Sequence, residues 1–300
     1  MRVVVVDQSR TMRLYVAGLL GARDHEAVAL ADGPAALAYL RDNPDIGALI
    51  TSAELTGMSG MELCWETRLL AGRDRPIYVI LMSSSIDKSK LGEALDSGAD
   101  DFISKPPVPD ELYARLRAAE RFVTMQRELV RLANVDALTG VHNRRAFFEK
   151  AEQMENCEAL AAIMLDIDHF KRINDVYGHD AGDRAITAVA RTVADEGVMI
   201  GRLGGEEFAV LLGGASLEAA AALAERLRVR IGALCFETES GPKSLTCSFG
   251  VSARKGGETI DTLLKRADVA LYAAKTGGRN RVVAADAVTT FTGSVHALAS

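Results

Sequence analysis

The chain has 300 residues, 48% of them hydrophobic and 25% charged, with four cysteines and a formal net charge of −6. That length suits two globular domains of about 150 residues each, both large enough to bury a core. The acidic balance, with no basic stripe interleaved with aromatics, excludes a nucleic-acid-binding surface. Met1-Arg2-Val3-Val4-Val5-Val6-Asp7 is too short an apolar run for a signal peptide, and no stretch approaches the roughly 18 residues of a membrane span. Cys64, Cys157, Cys235 and Cys247 lie far apart without C-x-x-C spacing. They are expected to be reduced, small core residues in a cytoplasmic protein.

Residues 1–110 alternate between short apolar runs at 3–6, 27–30, 48–50, 78–81 and 101–104 and helical patterns such as 11–20 and 60–70. This alternation predicts a parallel sheet covered by helices on both faces, with right-handed connections. Asp7 ends the first run, Gly57-Met58-Ser59-Gly60 follows the third, Ser83 follows the fourth and Lys105-Pro106 follows the fifth. In these positions the segment resembles response-regulator receiver domains. The resemblance implies a flavodoxin-like, doubly wound parallel sheet over residues 1–120, with a cis peptide at Lys105-Pro106.

The resemblance also shows departures. The phosphoacceptor position falls on Ser52, where the family uses Asp to form an acyl phosphate, and a serine hydroxyl without an activating base is a weak nucleophile. Asp7 is kept, but Gln8 stands where a second acid belongs and Thr56 replaces a Pro, so one of three metal carboxylates remains. Glu54, two residues further into the loop, reads as a solvated acid. Asp7, Gln8, Ser52, Ser83 and Lys105 therefore make a degenerate receiver site, the last two being mainly structural. The expected role is dimerisation or docking of a protein partner, without phosphorylation.

Residues 110–135 read as one long helix, with 121–135 as a linker. Leu112, Leu116, Ala119, Val123, Val130 and Ala133 recur at spacings of three, four or seven, giving one buried seam. The distal half either pairs with a second copy or bridges solvent with Glu–Arg pairs.

The second half carries five blocks in order. Asp136-Ala137-Leu138-Thr139-Gly140-Val141-His142-Asn143-Arg144-Arg145 comes first. An apolar strand then ends in Asp166-Ile167-Asp168-His169-Phe170-Lys171. The third block is polar and includes Asn174, His179 and Asp183; an amide and a carboxylate together can read the edge of guanine. Gly204-Gly205-Glu206-Glu207-Phe208 follows, between strand-like runs at 198–203 and 209–212. Two glycines free to take positive φ predict a hairpin and leave space for a phosphate. The paired acids beside them suit a hard cation shared with phosphates, and Asp166 on a neighbouring strand can converge on the same ion. The last block supplies Lys275 and Arg279, cations suited to a triphosphate. Singly each has another reading: a solvated hairpin tip, helix C-terminal cations, a helix-start His179, a core Phe170.

Together these blocks resemble the GGDEF family of diguanylate cyclases over about residues 134–284. The resemblance implies a palm-like α/β domain at 136–285, with a central, mostly antiparallel sheet and flanking helices, followed by a disordered tail at 286–300. It implies condensation of two GTP into cyclic di-GMP, each subunit of a homodimer holding one GTP. Asp166, the Ile167 backbone, Glu206 and Glu207 would bind Mg²⁺ or Mn²⁺, and Glu206 would help deprotonate the attacking 3′-hydroxyl. Asp166 and Lys171 would join Glu206 in catalysis. Asn174 and Asp183 would read guanine, with His179, Gly204 and Gly205 also lining the substrate. Phe170, Lys171, Lys275 and Arg279 would hold phosphates. The family's product-inhibitory Arg-x-x-Asp is missing, because the corresponding residues are Asp195-Glu196-Gly197-Val198. An acid in place of the Arg repels phosphate, leaving Arg191 or Arg202 as substitutes to consider. The competing class is a silent GTP-binding or protein-docking regulator, which has no chemical need of all these residues.

Overall fold

A computed structural model describes residues 1–72, 74–84, 96–236, 241 and 243–286. It comprises two compact units, Met1–Arg131 and Leu132–Ser300. The expected disordered tail lies outside the described residues except for Asp286, which pairs with Lys255 at 2.8 Å. No helix among the described residues is long and apolar enough to cross a membrane.

The first unit is a five-stranded parallel sheet of order β2-β1-β3-β4-β5. Its strands are β1 (Arg2–Val6), β2 (Glu26–Leu30), β3 (Ala48–Ser52), β4 (Tyr78–Ser83) and β5 (Asp101–Ser104), the five runs expected from the sequence. Successive side chains point to opposite faces. Val3, Val5 and Ile50 enter a core with Leu20, Leu112 and Leu116. Val4, Val6 and Leu49 enter another with Leu40 and Leu63. Two covered faces explain why these strands read as unbroken apolar runs. The helix Gly60–Ala71 begins with a capping box, in which Ser59 and Glu62 satisfy each other's backbone N–H, a device worth about 1 kcal/mol. Lys105–Pro106 is a cis peptide.

The helix Pro109–Asn134 buries Leu112, Leu116, Ala119 and Val123, as its periodicity predicts. The expected seam does not continue: Val130 is half-buried and Ala133 exposed. Instead Phe122, Met125, Leu129 and Leu132 form an exposed apolar stripe, with 36, 66, 57 and 57% of their surfaces accessible. The reason is that the first unit's core ends near Val123, so from Phe122, which still meets Tyr78 edge-on, the larger residues follow a stripe of their own with three-four-three spacing.

The second unit is a six-stranded mixed sheet of order β13-β12-β7-β9-β8-β6. β6 (His142–Asn143) and β13 (Val282–Ala284) lie parallel to their neighbours at the two edges. β12 (Cys247–Ala253), β7 (Leu160–Ile167), β9 (Glu207–Gly213) and β8 (Met199–Gly204) form the antiparallel middle. β10 (Cys235–Phe236) and β11 (Lys243–Ser244) make a separate two-stranded ribbon. β7 feeds both cores: Ala161, Ile163, Leu165 and Ile167 on one face, Leu160, Ala162 and Met164 on the other. The second face packs against the helix Ile260–Thr276 through Leu263, Leu264, Ala267 and Leu271.

The cysteine expectation is half right. All four thiols are free, but only Cys64 and Cys247 are buried; Cys157 is half-buried and Cys235, on the short ribbon, is exposed. Burial pushes the Cys64 thiol up to about 12 and Cys247 well above its ordinary value, so neither forms a thiolate near neutrality.

Candidate active site

The hairpin between β8 and β9 is tighter than its two glycines suggest. Gly204 already pairs with Glu207, leaving Gly205 and Glu206 as the two-residue turn. Gly205 alone has positive φ, +48°; the expected positive φ at Gly204 is absent because that residue closes the ladder. Glycine at the first central position is what a type II′ turn requires. Glu206 thus stands at the tip, half-buried, while exposed Glu207 belongs to β9. Arg202 braces the turn, donating from Nε to Gly205 O at 2.8 Å and from Nη1 to Asp136 Oδ1 at 2.9 Å. Both of its partners belong to the second unit itself.

β7 lies between β12 and β9, with Asp166 opposite Glu207 in the register. Asp166 is 6% exposed and its Oδ2 lies 2.8 Å from Lys275 Nζ. Lys275 was open to reading as a helix-end cation; its partner is the strand acid. Burial pushes the Asp166 carboxyl up to about 6 despite the pull of Lys275, and the charges of Glu206 and Glu207 push it further. A desolvated carboxylate crowded by two others is a donor set that a dication would relieve, so these residues fit Mg²⁺. Among the described residues no three His, Cys, Asp or Glu side chains form a ready-made cage. Mg²⁺ takes one or two carboxylates and fills its octahedron with phosphate oxygens and water.

Immediately after β7 the chain turns sharply through His169, at φ 57°, into the helix Phe170–Tyr177. Phe170 is half-buried and Lys171 exposed at that helix start, where the first N–H groups have no intrahelical acceptor. Asn174 lies on the same helix, and its Oδ1 is buried without a hydrogen-bond partner among the described residues. Gly182, on the next helix His179–Ala194, allows this packing, since a Cβ there would come within 1.9 Å of Asn174 Oδ1. His179 and Asp183 are exposed on that second helix.

The structure therefore brings Asp166, Glu207 and Lys275 together. Among the described residues the side chains of Lys171, His179, Asp183 and Arg279 are exposed, without a hydrogen bond or ion pair. Two contributors carry no obvious sequence signal. Gly182 is visible only as a contact, and Asp168 is a 5% exposed carboxylate held by Thr246 and Ser248. Asp168 stands in the turn directly after β7, so its spacing from Asp166 does not by itself give its partners.

In the first unit, Ser52 Oγ is buried, donates to Glu54 O at 3.0 Å and receives Lys105 Nζ at 3.1 Å. Lys105 Nζ also lies 2.6 Å from Asp7 Oδ2. The basic group beside Ser52 that the sequence did not reveal is thus an ammonium engaged by a carboxylate, which is a poor proton acceptor. Gln8 is exposed, and the Ser83 carbonyl accepts from Lys105 N at 2.9 Å. Glu54 is exposed, as expected.

Known proteins share both halves. The family described as "Diguanylate cyclase, GGDEF domain" matches residues 133–281, and the response regulator receiver domain matches residues 3–117. Response regulator PleD of Caulobacter vibrioides is 34% identical over 94% of this chain and 65% of its own length. Diguanylate cyclase DgcM of Escherichia coli (strain K12) is 34% identical over 82% of this chain and 64% of its own. The chain therefore spans a little under two thirds of these relatives. A crystal structure of the coiled coil and GGDEF domain of DgcB from Caulobacter crescentus, in complex with c-di-GMP, is 35% identical, with a TM-score of 0.52. It is matched over 98% of that chain and 58% of this one.

Proposed function

The chain belongs to the GGDEF-domain response regulators, and we propose that it is a diguanylate cyclase, joining two GTP into cyclic di-GMP and releasing one pyrophosphate per GTP. The observation that carries this reading is the buried Asp166, paired with Lys275 at 2.8 Å and facing Glu207 across the register beside the glycine turn.

Asp166, the Ile167 carbonyl, Glu206 and Glu207 would hold Mg²⁺ or Mn²⁺, which supplies positive charge over the phosphate oxygens when bound. Lys275 and Arg279 add fixed positive charge where the pyrophosphate leaves. The open N–H groups at Phe170 and Lys171 donate to phosphate oxygens at a helix start. The unpartnered Asn174 Oδ1 accepts from guanine, with Asp183 as second acceptor and His179 at the rim. Gly204 and Gly205 leave space for the triphosphate, and Glu206 at the turn tip takes the proton of the attacking 3′-hydroxyl. No covalent enzyme intermediate is required.

A half-site holding one GTP needs a second facing it, so the active species is a homodimer. The stripe Phe122, Met125, Leu129 and Leu132 supports pairing through the helix Pro109–Asn134. The receiver unit acts as an unphosphorylated adaptor or docking unit, since Ser52 and Asp7 are both engaged by Lys105. Inhibition by product at the Arg-x-x-Asp position is not expected: Asp195 stands there and pairs with Arg230, as does the adjacent Glu196.

Incubating the purified chain with GTP and Mg²⁺ tests this by mass spectrometry. Cyclic di-GMP made by the wild type and lost in Glu206→Ala supports it; GTP binding without product, at concentrations where the dimer forms, overturns it.

A further inference from the structure

We infer that Asp168 is a positioning residue for the phosphate-holding Arg279, acting through the backbone of Asn280; this rests on the diguanylate cyclase reading of the site. Asp168 stands in the turn directly after β7, two residues beyond Asp166, and the two carboxylates reach the helix Ile260–Thr276 and the turn that follows it. Asp166 meets the side chain of Lys275, whereas Asp168 meets the backbone five residues later.

Asp168 accepts three hydrogen bonds: Thr246 Oγ1 to Oδ2 at 2.7 Å, Ser248 Oγ to Oδ1 at 2.6 Å, and Asn280 N to Oδ2 at 2.9 Å. No cation pairs with it among the described residues. A buried carboxylate held only by neutral donors is a costly way to fill space, and an apolar residue packs there at less expense. Its return lies in what it orients. Two of the donors come from the adjacent β12 segment and fix the carboxylate; the third is the turn itself.

That turn needs holding. Arg279 and Asn280 are successive non-glycine residues with φ of 63° and 45°, a conformation such residues keep only when their surroundings impose it. Arg279 N donates to Ala274 O at 3.0 Å, and Asn280 Oδ1 accepts from Arg228 Nη1 at 3.0 Å. Arg279 O accepts from Arg281 Nε at 3.2 Å, and Asp168 ties the amide of Asn280 to the sheet side. Arg279's side chain is exposed with no partner among the described residues, so its direction is set by its backbone. Releasing Asn280 N therefore frees the guanidinium without touching the acids or the guanine readers.

The experiment compares Asp168→Asn, Arg279→Ala and the double variant. Calorimetry measures binding of a non-hydrolysable GTP analogue and of GMP with Mg²⁺, and hydrogen exchange is followed over 277–281 without nucleotide. Asp168→Asn is expected to weaken the analogue about tenfold, as loss of an orienting partner commonly does, while leaving GMP within about twofold. The double variant should bind no worse than Arg279→Ala, and exchange at the Asn280 amide should quicken in Asp168→Asn. Equal losses for analogue and GMP, additive losses in the double variant, or unchanged exchange would each overturn the inference. If the wild type binds neither nucleotide, the cyclase reading fails, and exchange still decides whether Asp168 holds the turn. Should Asp168→Asn not fold, the Thr246→Val/Ser248→Ala variant keeps the carboxylate but frees it, and the same selective loss is expected at smaller size.

Discussion

Gly182 has no room for a side chain, because Asn174 Oδ1 would lie 1.9 Å from its Cβ. Gly182→Ala is expected to cost about 1–3 kcal/mol and to displace Asn174, so guanine-nucleotide affinity should fall tenfold or more. Thermal unfolding and calorimetry check the two effects separately. Asp166 makes a second prediction with a definite sign. Its folded carboxyl titrates at about 6, above its ordinary 3.8, so it favours the folded state below pH 3.8 and loses that contribution as pH rises toward 6. Asp166→Asn removes this loss. The metal-free variant should be more stable than wild type at pH 7 by about 1–2 kcal/mol, after discounting the lost Lys275 contact, and the gain should vanish near pH 4. Denaturant unfolding at both pH values measures it. The acids and cations of the site were legible as residue types in order. Asp168 and Gly182 were not, because their roles depend on partners brought in by folding: Thr246, Ser248 and Asn280 for one, a facing helix for the other.

At the scale of elements, periodicity located the strands of the parallel sheet, since fully buried strands carry continuous apolar runs. It failed on the far half of the helix Pro109–Asn134. A helix shows which faces are apolar, but which one is covered depends on what lies beside it, and beyond Val123 that information is not local. The hairpin also looked looser in sequence than it is, because a Gly-Gly pair does not say which residue closes the ladder. The exposed stripe gives the prediction at this scale. Leu129→Glu should weaken self-association at least tenfold, as sedimentation velocity would report, and should lower specific activity most at low protein concentration. Because Leu129 is 57% exposed, stability of the chain itself should change little.

For the molecule as a whole, two units of different sheet type share one chain, and the reading of the first as an unphosphorylated adaptor makes its own prediction. Beryllium fluoride with Mg²⁺ should alter neither sedimentation nor cyclase rate. The Ser52→Asp variant should behave likewise, since Gln8 still withholds an acid and Lys105 remains bound to Asp7. A response in that variant would mean the receiver pocket is more intact than its residues imply. The second unit, for its part, is organised around one strand. Because β7 alternates between two hydrophobic layers and carries Asp166 near its end, sliding it by one residue would exchange the layers and send that acid to the opposite side. Even a conservative deletion within 160–165 is therefore a lesion of the whole unit, and in this strand length is under as tight a constraint as composition.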